Sequence, residues 1–130
     1  MKKNNNNLFQ EWLERAKDDE LSASILLKED GASNTICFLS QQMAEKYLKS
    51  FLVFRDRKFP KVHQLDILLG LCIKIDHSFL NLKADVIFLS DFYVATRYPG
   101  DYPQFSFKDA KEALERASKI KDFILDKIYA

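Results

Sequence analysis

Histidine is scarce in this 130-residue chain, with only His63 and His77, and glycine (three), proline (three) and cysteine (two) are nearly as rare. The glycines at 31, 70 and 100 never cluster, which excludes a glycine-rich phosphate loop. The two histidines form no i, i+4 metal-ligand pair, and no nucleophile sits in a recognisable catalytic motif, so neither a metal nor a cofactor is expected. Cys37 and Cys72 lie in separate apolar runs without the close pairing of a zinc or redox site. They read as small core residues in a protein of a reducing compartment. The longest clean apolar run, ILLGLCI, is far short of the roughly 20 residues that span a bilayer, which points to a cytoplasmic protein without membrane contact. Charge of one sign is also lacking: 20 basic residues face 19 acidic ones, so bulk charge cannot drive nucleic-acid binding. No hairpin signal or alternating strand pattern is present.

What is present is charge arranged by region. Residues 46–61 hold six cations (Lys46, Lys49, Arg55, Arg57, Lys58, Lys61) against Asp56 alone, whereas residues 11–30 hold seven acids against three cations. Helical periodicity runs the length of the chain. After a polar leader at 1–7, expected to be disordered, residues 8–130 read as a single helical domain. Asn7 can cap a first helix reaching about Glu29, with Phe9, Trp12, Leu13, Ala16, Ala23, Leu26 and Leu27 on one stripe that Asp19 and Glu20 interrupt. The DGAS stretch at 30–33 reads as a stop followed by an N-cap, and Ile36–Phe54 as a second helix with Gln41 as the polar intruder on its stripe. A short apolar helix follows over 64–75, then a third long helix over 79–97 that Pro99 and Gly100 end. SFKD at 106–109 matches a capping box that opens a fourth long helix running to the C-terminus. The expected fold is all-α: an antiparallel up-and-down four-helix bundle with one additional short helix between the second and third long helices. Eleven Phe, five Tyr and one Trp exceed what one small bundle needs, so part of this aromatic mass is assigned to a homodimer contact.

Arg97 is the residue that asks for a function, because it falls on the inward stripe of the third long helix, four residues after Tyr93, in its last turn. Its structural use is to answer the helix dipole with its stem along the core. Its functional use is to grip phosphate with a forked, permanently charged guanidinium. The following turn offers Tyr98 and Tyr102 for stacking, with Asp101 between them and Gly100 allowing close backbone approach. If Asp19, Gln41, Gln42 and Glu45 face the same cleft, they satisfy or orient Arg97 instead of standing unpaired at about 1–3 kcal/mol each. Lys49, one turn beyond Glu45, reads as its i, i+4 ion pair. His63 reads as a cap or packing residue ahead of the short helix, and it could also enter the cleft.

The stretches CFLSQQMAEKYLKSFL (37–52), PKVHQLDILL (60–69) and TRYPGDY (96–102) resemble the HEPN domain family (higher eukaryotes and prokaryotes nucleotide-binding). The likeness lies in the QQ-x-x-EK-x-LK helix, the Pro-x-x-His entry and the Arg-Tyr-Pro helix end. With AKDDELSASILL (16–27) it spans about residues 8–128. The resemblance implies a dimerising helical bundle, a cytoplasmic role beside a minimal nucleotidyltransferase in toxin–antitoxin pairs, and nucleotide or RNA as ligand. It also implies, for many members, metal-independent ribonuclease activity from an arginine and a later histidine at the same helix end. Here Arg97 matches the arginine, but Tyr102, Pro103 and Gln104 occupy the histidine's positions and no histidine follows residue 77. A tyrosine, with a reference pKa near 10, replaces imidazole poorly. Ribonuclease activity is therefore expected to be weak or absent. The alternative is an active endoribonuclease that uses Arg97 with Tyr102 or His63.

Overall fold

The computed structural model of the chain describes residues 5–93 and 99–130. Every regular element among them is helical: α1 (Asn5–Lys28), α2 (Ser33–Phe54), α3 (Leu65–Ile75), a 3-10 turn (His77–Leu82), α4 (Lys83–Ser90), a second 3-10 turn (Pro99–Asp101) and α5 (Phe107–Tyr129). The all-α fold expected from the periodicity is therefore present. α2 is its centre, packing on α1, α3, α4 and α5. One continuous core joins Phe9 and Leu13 of α1 and Ile36, Tyr47, Leu48 and Phe51 of α2 with Phe79 of the first 3-10 turn and Ile120 and Ile124 of α5.

The helix ends follow local chemistry. Past Lys28 the Gly31 N–H bonds to the Leu26 carbonyl at 2.6 Å, while Asp30 takes a left-handed φ of 55°. A Cβ at Gly31 would come 2.7 Å from Leu26 Cδ2 and 3.1 Å from the Leu26 carbonyl oxygen, so glycine allows the close approach without displacing Leu26. α2 closes the same way, with Arg57 N–H on the Leu52 carbonyl at 2.8 Å and Asp56 at φ 57°. The capping box of α5 forms as read: Ser106 Oγ accepts from Asp109 N–H at 3.0 Å and Asp109 Oδ2 accepts from Ser106 N–H at 3.2 Å. The apolar stripe of α5 is buried from Ala110 to Ile128, whereas Phe107 at the head of the helix is 41% exposed.

Three expectations about the elements are corrected. The helix begins at Asn5, so Asn7 lies inside α1 and is not its cap. Ala32 occupies the N-cap position of α2, because Ser33 is already helical and spends its hydroxyl on the Phe105 carbonyl at 2.6 Å. The third long helix is shorter than its periodicity suggests: a 3-10 turn capped by Asp76 leads into α4, which stops at Ser90 instead of continuing toward 97. Phe92 N–H tightens onto the Leu89 carbonyl, burying Phe92 between Phe88 and Phe105. The Phe92 carbonyl accepts from the Tyr102 hydroxyl at 3.2 Å. With α4 so short, α5 packs directly along α2. The two helices start side by side, where Asn34 Oδ1 accepts from Phe105 N–H at 2.8 Å, and run in the same direction.

Candidate functional site

One face of α2 carries Gln41, Glu45 and Lys49, spaced four residues apart and therefore stacked turn upon turn toward the connection that links α2 to α3. All three are buried, at 1%, 3% and 6% exposure. Such groups persist in an interior only when paired. Lys49 Nζ donates to Glu45 Oε2 at 3.0 Å, which is the i, i+4 pair read from the sequence. Its ammonium also lies 5.2 Å from the Trp12 ring centre and 5.8 Å from that of Phe59, so aromatic faces replace water around it.

The second oxygen of Glu45 receives His63. Glu45 Oε1 stands 3.0 Å from His63 Nδ1, and Gln41 Nε2 donates to the His63 carbonyl at 3.1 Å. Gln42 completes the chain by donating to Gln41 Oε1 at 2.6 Å. An ionised carboxylate only accepts, so this contact places a proton on Nδ1 and assigns Nε2 as the basic nitrogen of the neutral ring. His63 is half-exposed, with its ring stacked on Tyr93 at 4.9 Å between centres and 19° between planes. Tyr93 in turn stacks on Phe38. The Tyr93 phenol is pushed up from its ordinary pKa, first by desolvation and then by the Glu45 charge, and so stays a hydrogen-bond donor at neutral pH. Gln41, Lys61, His63, Gln64, Ser90 and Tyr93 are among the residues lining an open cleft of about 440 Å³. Asp66 lines the same cleft opposite in sign to Lys61, and with the amides, the hydroxyl and the two rings the walls suit a polar ligand with a flat face.

The structure thus brings Gln41, Gln42, Glu45, Lys49 and His63 into one network and leaves Asp19 out of it. Asp19 pairs with Lys46 at 2.5 Å. Glu20, which interrupts the same apolar stripe, accepts from Tyr47 at 3.5 Å and from Lys121 at 2.8 Å, joining α1, α2 and α5. Tyr102 anchors its hydroxyl on the carbonyl of Phe92 and its ring on Phe105, and Asp101 is exposed in the turn before it. Arg97 and Tyr98 lie outside the described residues. The sequence reading missed Tyr93 as the platform for the His63 ring, and Lys61 and Gln64 as cleft walls. The available signal was Glu45 itself, a carboxylate on a buried stripe beside a Pro-x-x-His entry.

The family model described as the HEPN domain matches residues 9–128. The chain belongs to this family. Two solved structures share the HEPN fold of this chain. An archaeal HEPN homologue superposes with a TM-score of 0.76 at 25% identity, covering 98% of this chain and 99% of its own. A Thermus thermophilus protein gives a TM-score of 0.76 at 28% identity, covering 92% of this chain and 97% of its own. No curated protein matches. Within this HEPN domain no cluster of three or more His, Cys, Asp or Glu side chains is placed to hold a metal among the described residues. No helix among them is long and apolar enough to cross a membrane.

Proposed function

We propose that this HEPN domain binds the phosphate of a nucleotide or RNA in the His63 cleft and acts with a minimal nucleotidyltransferase partner in a toxin–antitoxin-type pair. The observation that carries the binding part is the buried Glu45 carboxylate holding the half-exposed His63 ring at 3.0 Å, flat against Tyr93, at the mouth of a cleft that Lys61 also lines. Arg97, four residues after Tyr93 in the chain, is the permanent cation that this reading assigns to the phosphate. The partner rests on the family resemblance, and pull-down with the nucleotidyltransferase encoded beside it tests it. A homodimer is part of the same reading. Leu21 and Ile25, one turn apart on α1 and 60% and 53% exposed, and Ile87 on α4 at 62% give it apolar surface to cover, and light scattering reads the mass.

A second reading, metal-independent RNA cleavage, is favoured by the same histidine. With Nδ1 held by Glu45, Nε2 is available to take the 2′-hydroxyl proton as the 2′-oxygen attacks phosphorus, and to return it to the 5′-oxygen as the P–O5′ bond breaks, while Arg97 steadies the charge on phosphorus. Titrating labelled single-stranded RNA and following its integrity separates the two. Binding should fall by about tenfold in His63→Ala and in Arg97→Ala. Cleavage in metal chelator that falls by about 100-fold or more in both variants establishes the nuclease. Undiminished RNA and nucleotide binding in both variants would remove the cleft from the function altogether.

A further inference from the structure

A second cavity opens at the other end of α3, some eight residues along the helix from Asp66 of the His63 cleft, or about 12 Å at the helical rise. It shares no lining residue with that cleft. Leu52, Leu71 and Ile75 form its apolar part, and Arg57, Lys58 and Lys74 its polar part. No acid lines it, and none of these three cations is paired with a carboxylate among the described residues. Several cations elsewhere are paired, Lys46 with Asp19, Lys121 with Glu20 and Arg116 with Asp85 and Glu112, whereas three cations without such a partner meet at this one cavity. The acid nearest in the chain to this end of α3, Asp76, is already taken by Lys127 at 2.9 Å and by Ser78. Arg55 is directed elsewhere, over the Phe51 ring.

We infer that this cavity is a binding site for a small amphipathic anion, an apolar body bearing one phosphate or carboxylate group. Its volume of about 310 Å³ is in the range of small-molecule sites. Aliphatic side chains take the body out of water, and three cations on the rim receive the charge. Answering the helix C-termini would account for Lys74, in the last turn of α3. Arg57 and Lys58 follow the closing turn of α2, so two helix ends bring their cations to the same cavity.

The test is calorimetric titration of the full chain with phenyl phosphate, octanoate and inorganic phosphate, with amide chemical shifts locating the site. Phenyl phosphate or octanoate should bind about tenfold more tightly than inorganic phosphate and shift the amides of Arg57, Lys58, Leu71 and Lys74. Whichever of the two binds better identifies the head group. Lys58→Gln combined with Lys74→Gln, both exposed and outside the core, should weaken binding by about tenfold, while His63→Ala should leave it unchanged. Binding equal to that of inorganic phosphate, binding indifferent to the double substitution, or shifts confined to the His63 cleft would overturn the inference.

Discussion

Glu45 serves two partners with one buried carboxylate, and the two halves of that arrangement do different work. Toward Lys49 it neutralises an ammonium that Trp12 and Phe59 shield from water, which is a matter of stability. Toward His63 it fixes the ring and its tautomer, which is a matter of chemistry. Glu45→Ala should therefore cost about 3–5 kcal/mol in urea unfolding, because Lys49 is left charged and unpaired in the interior. Glu45→Leu together with Lys49→Met should cost clearly less than Glu45→Ala, since no bare charge remains. The two cysteines make a simpler case. Burial pushes the Cys37 and Cys72 thiols up to about 12, so both are inert core atoms, as their apolar surroundings in the sequence suggest.

Among the elements, α5 was fully legible because its signals agree. A capping box opens it, and its apolar stripe runs unbroken to Ile128. Ser106→Ala should cost about 1 kcal/mol, read as a lower urea midpoint at unchanged m-value. The end of α4 was not legible. Leu82, Val86, Leu89, Tyr93 and Arg97 keep a helical period across a point where the helix stops, and periodicity does not reveal that Phe92 gains more by packing between Phe88 and Phe105. Ser33 misled in the opposite direction. A serine after Asp-Gly-Ala has the composition of a cap, but here its hydroxyl ties the start of α2 to Phe105, across 72 residues of chain.

For the molecule as a whole, the first 3-10 turn and the end of α5 are fastened together through Asp76. Hydrogen bonds from Ser78 first, and then the Lys127 ammonium, hold this carboxyl well below its ordinary value of 3.8. The folded chain thus binds this proton less readily than the unfolded chain, so the contribution is complete above about pH 4 and is lost as acid is added below it. Asp76→Asn should lower the melting temperature at pH 7 and flatten its fall below about pH 4, as thermal scans across pH would show. The sequence by itself determined the helical class, the boundaries of α3 and α5 within a residue or so, the Lys49–Glu45 pair and the family, because these depend on residues close together in the chain. Only the tertiary structure decided that α5 lies along α2, that Asp19 serves Lys46, and that His63 closes on Glu45 and Tyr93. Those outcomes turn on which distant side chains are left to satisfy one buried charge or fill one volume, a competition settled only when the helices pack.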